Sequence, residues 1–244
     1  MTATMAGVGE NANAPDASSF DLAGLCVTPD PAGALWIEAE RMLVVADLHL
    51  EKGSAYAERR VMLPPYDTAA TLARLAAVVG RYRPRVVVAL GDSFHDIRAG
   101  DRMGNDDRAG LRAMTAGREW VWIAGNHDPA PPEGLGGIAL NELPIGAAVL
   151  RHEPGGALDG RMARGEIAGH LHPVARVWSD SGSTRRRCFV SDGARCVLPA
   201  FGAYAGGLNI RDVAFGALFS SAPRAYALGR DRVFCVPLSR CAPD

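Results

Sequence analysis

The sequence has no long apolar run, no paired-cysteine motif and almost no lysine. A membrane helix needs about 18 consecutive apolar residues, and the chain has no such stretch, so we expect no membrane partner. The five cysteines stand singly, without a CxxC spacing, which argues against a cysteine-based zinc site or a framework of disulfides. The formal net charge of −1 provides none of the basic excess that is typical of nucleic-acid-binding domains.

The chain has the length of one large domain. Its 244 residues bury enough surface to fold without a disulfide or a structural metal. Residues 1–20 are small and polar and lack the basic start and apolar middle of a secretion signal. We interpret residues 1–20 as a disordered leader and residues 21–244 as a single domain. Without an export signal, the expected location is the cytoplasm, where cysteines stay reduced.

The first half of the sequence alternates short apolar runs with amphipathic segments. Leu72, Leu75 and Val79 recur at helical spacing. The order of strand, helix, strand, helix and strand is typical of a parallel α/β sheet. Strands are predicted at 41–46, 85–90 and 119–124, and helices at 67–82 and 106–116. The second half contains mainly short strand candidates, at 145–151, 165–169, 174–178, 187–190, 224–228 and 232–237.

All six histidines lie beside glycines, carboxylates or other histidines at the ends of predicted strands. Ligand sites of α/β sheets lie beyond the carboxyl ends of the strands. Residues i and i+2 of an extended chain point the same way, so Asp47 should pair with His49, and His170 with His172. The segments are Asp47-Leu48-His49, Gly91-Asp92 with His95 and Asp96 following, Gly125-Asn126-His127-Asp128, His152-Glu153 and Gly169-His170-Leu171-His172.

These residue types are suited to divalent metal ions. Imidazole nitrogens combined with carboxylate and amide oxygens bind Mn²⁺, Fe²⁺, Zn²⁺, Co²⁺ or Ni²⁺. The motifs supply more ligands than one tetrahedral ion needs. Two ions about 3.5–4 Å apart, bridged by a carboxylate, would use them all, and such pairs catalyse in-line displacement at phosphorus.

The five motifs in this order resemble the calcineurin-like metallophosphoesterase superfamily, from about Met42 to Val177. The resemblance implies an α/β fold (α+β in some schemes), namely a β-sandwich flanked by helices in the order αββα. It places a two-metal site at the C-terminal ends of strands. It also implies a metal-dependent phosphoric ester hydrolase in which a metal-bound hydroxide attacks phosphorus. Two divalent ions are expected, Mn²⁺ first, with Fe, Zn, Co or Ni as alternatives.

The resemblance further implies which residues bind the two ions. Asp92 bridges both ions. The first ion is held by Asp47, His49 and His172, and the second is completed by Asn126, His152 and His170.

Other motif residues are implied to contact the substrate or to support catalysis. His127 binds the phosphate oxygens, together with Asn126, and assists the leaving group, and Asp128 orients the His127 imidazole. His95 stands where the family has an acid, and it contacts the substrate, supports the bridging carboxylate or simply packs. Lys52, the only lysine in the chain, either reaches a phosphate or is solvated.

Three segments indicate a particular group within this superfamily. GDSFHD at 91–96, HEP at 152–154 and GHLHP at 169–173 are similar to the bacterial ligase-associated DNA damage response endonucleases. This implies a phosphodiesterase that acts on nucleic acid or a nucleotide-like diester in DNA repair, beside a DNA ligase, a helicase and a second nuclease. One alternative is a small-molecule phosphatase or cyclic-nucleotide phosphodiesterase, which the net charge of −1 favours. The other is an inactive repair scaffold, although every ligand position is filled.

Overall fold

The computed structural model describes residues 18–155, 164–179 and 182–244, and within them two β-sheets pack face to face. The leader predicted at residues 1–20 falls mostly outside this part of the chain, and the first strand begins at Phe20. The helices of the described residues include none that is long and apolar enough to cross a membrane.

The first sheet has seven strands in sequence order, and its parallel half carries the predicted alternation of strands and helices. β1 to β4 form an antiparallel meander, and β4 to β7 run parallel. The strands are β1 (Phe20–Leu22), β2 (Leu25–Pro29), β3 (Leu35–Ile37), β4 (Met42–Val45), β5 (Val86–Leu90), β6 (Glu119–Ile123) and β7 (Ile138–Leu140).

Four helices lie in the described part of this half of the chain. They are α1 (Lys52–Glu58), α2 (Asp67–Tyr82), α3 (Ala99–Arg102) and α4 (Asn105–Thr115). α2 buries Leu72, Leu75 and Val79, the residues whose spacing predicts it. These side chains pack with the outer face of the first sheet, including Trp120 and Trp122, which are 2% exposed.

The second sheet is built from the C-terminal half of the chain, as predicted. β9, β10 and β13 are parallel neighbours, and most other pairs are antiparallel. Its strands are β8 (Glu142–Ile145), β9 (Ala148–Arg151), β10 (Gly165–Ala168), β11 (Pro173–Ser179), β12 (Gly182–Ser191), β13 (Arg195–Val197), β14 (Leu208–Asn209), β15 (Arg224–Leu228), β16 (Val233–Pro237) and β17 (Cys241–Ala242).

The largest core lies between the two sheets. Val44, Leu90 and Ile123 of the first sheet pack there with Leu150 and Phe189 of the second. The predicted sandwich with flanking helices is confirmed, but its two helical layers are unequal. Among the described residues, the outer face of the second sheet carries the short α5 (Val213–Gly216) and a 3₁₀ turn (Leu238–Arg240).

One strand prediction is wrong. Residues 145–151 are not a single strand, because β8 ends at Ile145 and β9 begins at Ala148. Gly146 has a φ of 54°, which a glycine adopts without steric cost and which allows the tight turn between the two strands.

Candidate metal centre

The candidate ligands lie where the carboxyl ends of β4, β5, β6, β9 and β10 meet. The chain segments that leave β4 and β5 run side by side. The backbone N–H of His49 donates to the carbonyl of Asp92 at 2.9 Å, and that of Leu50 donates to Ser93 at 2.9 Å. These bonds hold the first two motifs together beyond the edge of the sheet.

The ligand residues have an unusual backbone conformation. Asp47, His49, Asp92, His170 and His172 have φ between 43° and 68°, in the left-handed region that non-glycine residues seldom adopt. Extended chain is predicted from the sequence at Asp47–His49 and His170–His172, and the left-handed backbone of these residues corrects that expectation. The alternate left-handed residues bring Asp47 and His49 to one group of ligands and divide His170 and His172 between two adjacent groups, and such strain typically persists at functional sites.

The first group of ligands is Asp47, His49 and His172, whose ligand atoms lie within 4.8 Å of one another. Nε2 of His172 is 3.3 Å from Nε2 of His49 and 3.4 Å from Oδ1 of Asp47. A backbone N–H, that of His170, donates to both carboxylate oxygens of Asp47. Converging imidazole nitrogens and a carboxylate at this spacing fit a divalent cation.

The second group is Asp92, His152 and His170, joined by Asn126. Oδ1 of Asn126 is 2.9 Å from Nε2 of His152 and 3.1 Å from Nδ1 of His170. The same two ring nitrogens are 3.2 Å apart. Nδ1 of His152 lies 3.2 Å from the carbonyl of Leu90, a contact that fixes the ring and leaves Nε2 for a metal.

Asp92 lies between the two groups. Its Oδ1 is 3.4 Å from Nε2 of His152, and its Oδ2 is 4.0 Å from Nε2 of His49. One carboxylate thus faces both groups of ligands. The residues fit two adjacent divalent ions, as the sequence predicts.

The charges within the centre favour a cation. Burial and the neighbouring His172 lower the pKa of His49 to about 3, so its imidazole is neutral at pH 7. Burial, the largest single influence, favours a raised pKa for Asp92, but the hydrogen bond and charge of His152, the backbone N–H of His127 and the charge of His49 together outweigh it and lower the pKa to about 2. Burial likewise opposes the charged form of His152, yet Asp92 and Asp47 raise its pKa to about 9. These carboxylates attract positive charge, and metal binding would displace the proton from His152.

Glycines are required at two motif positions because other atoms occupy the space beside them. A Cβ on Gly91 would lie 2.3 Å from the ring of His152, and Gly91 also has a φ of 73°. A Cβ on Gly125 would lie 2.2 Å from the backbone nitrogen of Asp92. Close backbone approach therefore explains the glycine of each motif.

His127 lies beside both groups of ligands, but its partner is not the one expected. Its Nδ1 is 3.1 Å from the carbonyl of His95, and its Nε2 is 3.9 Å from Oδ2 of Asp92. The prediction that Asp128 orients this imidazole is corrected by the geometry. The carboxylate of Asp128 accepts from the backbone N–H of Phe94 at 3.0 Å, and burial raises its pKa to about 8. The His95 carbonyl is what holds the His127 ring.

A half-buried wall continues from His127 along one side of the centre. The ring of His95 stacks on His127 with centroids 5.6 Å apart, and Tyr56 lies 5.7 Å beyond His95. Nζ of Lys52 is 6.0 Å from the centre of the Tyr56 ring. Lys52 and His95, two of the four residues expected to contact the substrate, therefore lie beside the centre. Tyr56 was not predicted as a site residue, because it belongs to none of the motifs. Its position four residues after Lys52 on α1 is the signal that places the two side chains on one face of the helix.

Comparisons with known proteins agree with this geometry. The calcineurin-like phosphoesterase family matches residues 40–192, so the chain belongs to that family and is a metal-dependent phosphoester hydrolase. No curated protein shows a significant match.

Solved structures include similar proteins. A nuclease MPE from Pseudomonas putida is 28% identical, with a TM-score of 0.67, over 89% of this chain and 98% of its own. The phosphoesterase Yfce from E. coli is 13% identical, with a TM-score of 0.40, over 80% of this chain and 98% of its own.

Proposed function

We propose that the protein is a dinuclear phosphodiesterase that cleaves nucleic acid and serves in DNA repair. The observation that carries the proposal is the pair of ligand groups that share Asp92, with His127 beside them. The likeness to a bacterial nuclease over most of both chains supports a nucleic-acid substrate. All five cysteines are free, which fits action in the reducing cytoplasm.

In this proposal two divalent ions, with Mn²⁺ as the native metal, activate water and neutralise charge on the phosphate. The first ion is bound by Asp47, His49 and His172, the second by Asn126, His152 and His170, and both by Asp92.

The remaining residues position the substrate. The contact with the His95 carbonyl makes Nδ1 of His127 a donor, so Nε2 is the nitrogen that faces the phosphate, and it donates to a phosphate oxygen when the ring is protonated. The side chain of His127 is 43% exposed, whereas that of Asp92 is 4% exposed, so of these two the imidazole is the group open to a substrate. Lys52 supplies a positive charge for a neighbouring phosphate, while His95 and Tyr56 offer a ring surface next to it. A DNA ligase, a helicase and a second nuclease are the proposed partners in repair.

The test is hydrolysis of an activated aryl phosphodiester and of the matching monoester. The metal-stripped protein is assayed with each divalent ion in turn, beside Asp92→Asn and His127→Ala. We expect Mn²⁺-dependent diester cleavage, lost in D92N together with bound metal. H127A should retain two ions, because His127 is not a ligand, and should lose about 10²–10⁴-fold in kcat.

Other outcomes would favour other functions. Preference for the monoester would indicate a small-molecule phosphatase. Two bound ions without turnover on either ester would indicate an inactive scaffold. If the diester is cleaved, a defined oligonucleotide is the next substrate, and its cleavage should weaken as salt rises, because phosphate contacts release counterions.

A further inference from the structure

A cleft at the opposite end of the first sheet gathers four arginines. It has a volume of about 600 Å³ and lies between the C-terminal ends of α2 and α4 and the first residues of β4 and β5. β5 separates Arg85, at the cleft, from Gly91, at the metal centre, a distance of roughly 20 Å at about 3.3 Å per residue. The cleft is therefore separate from the candidate active site. It is lined by Arg41, Arg83, Arg85 and Arg118, with Ala76, Val79, Gly80, Pro84 and Gly117.

The guanidinium groups of this cleft are largely uncompensated. Only Arg85 has an ion-pair partner among the described residues, Glu119 at 2.7 Å. Nη2 of Arg41 donates to the carbonyl of Arg83, which caps α2. Nε and Nη1 of Arg118 are buried, and no hydrogen-bond partner for them lies in the described chain.

The charge balance favours an anion. Each helix C-terminus contributes about half a negative charge, and the Glu119 carboxylate adds one more. Four guanidinium charges exceed these contributions by about two. Among the described residues no carboxylate lines the cleft, so an anionic ligand would meet no competing negative side chain on its walls.

The size and the floor of the cleft narrow the class of ligand. Its volume falls within the range of about 300–1,000 Å³ that small-molecule sites occupy. The floor is formed by small and apolar residues, and nothing lies within 4 Å of a Cβ built on Gly80 or Gly117. Arginine forks match phosphate oxygens, and their planes stack on flat rings. We propose that this cleft binds a nucleoside polyphosphate, with its phosphates on the arginines and its base over the open floor.

The experiment measures binding of ATP to the metal-loaded protein by calorimetry, with adenosine as the uncharged probe. Arg83→Ala removes an exposed guanidinium and should weaken ATP binding at least about tenfold, the loss expected for one charged hydrogen bond. Arg186→Ala, at an exposed arginine of the second sheet, is the control and should leave binding unchanged. Adenosine should not bind measurably.

A second pair of variants blocks the cleft without removing an arginine. Gly80→Glu places a carboxylate over the floor, and Gly110→Glu makes the same change on α4. Both glycines are exposed and have nothing within 4 Å of a built Cβ, so both variants should fold and retain aryl diester hydrolysis. Only G80E should lose ATP binding.

Three results would overturn the proposal. ATP binding that is equal in R83A, G80E and the parent, and that competes with the aryl diester, would place the nucleotide at the metal centre. Binding of an oligonucleotide but not of ATP would make the cleft a nucleic-acid contact. No binding of ATP by the parent protein would leave the cleft without the proposed ligand.

Discussion

Replacement of Gly91 by alanine should abolish binding of the second metal ion. The first ion should remain bound, because none of the residues of the first ligand group is changed. The new Cβ would lie 2.3 Å from the His152 ring, about 1 Å inside ordinary contact, so the ring has to move by about that amount. Metal–ligand distances tolerate only about 0.2 Å. His152 therefore ceases to be a ligand, and the diesterase activity that needs both ions falls with it.

The same substitution also carries a backbone cost. Gly91 has a φ of 73°, and an L-residue with a left-handed backbone costs roughly 1–2 kcal/mol. Gly193→Ala is the matched control, because Gly193 has a φ of 88° but its built Cβ meets nothing closer than 3.8 Å. G193A should lose stability by this amount and keep both ions, so the difference between the two variants isolates the contact with His152.

The assay is metal content per chain after equilibrium dialysis against Mn²⁺, together with the unfolding midpoint in urea. We expect two ions in the parent and in G193A, and one in G91A. If G91A holds two ions with parental affinity and activity, the assignment of His152 as a ligand that needs the space above Gly91 is refuted.

Three further predictions follow from the site and its supports. Chelation of the metals should lower the Tm, and Mn²⁺ at a hundred times its Kd should stabilise the fold by about 2.7 kcal/mol. A Tm that does not change when Mn²⁺ is added would contradict the proposed metal centre. Asp128→Asn should change kcat far less than H127A, because the carboxylate contacts the backbone of Phe94; equal losses in aryl diester assays would restore its orienting role. Glu166→Gln should destabilise the protein by up to about 3–5 kcal/mol in urea unfolding, because it removes a buried negative charge that pairs with the buried guanidinium of Arg195; Glu142→Gln, at an exposed carboxylate, is the control and should change little.

The sequence by itself determined the central elements and the chemistry of the site. The predicted helix at 67–82 coincides with α2, and the strands predicted at 85–90 and 119–124 lie within one residue of β5 and β6. The spacing of hydrophobic residues within a segment indicates its secondary structure without knowledge of its tertiary contacts, so these elements could be predicted. The candidate metal ligands could also be predicted, because only certain residue types, chiefly histidine and carboxylates here, bind such metal ions.

Only the tertiary structure decided how those residues meet. The left-handed backbone of Asp47 and Asp92 and the contact of His127 with the His95 carbonyl depend on segments distant in sequence. The same holds for Tyr56, which becomes part of the wall only because α1 lies against the loop of His95. The arginine cleft is a further case, since its four arginines come from three separate stretches of chain. Such convergence is produced by packing between distant segments, and no local pattern encodes it.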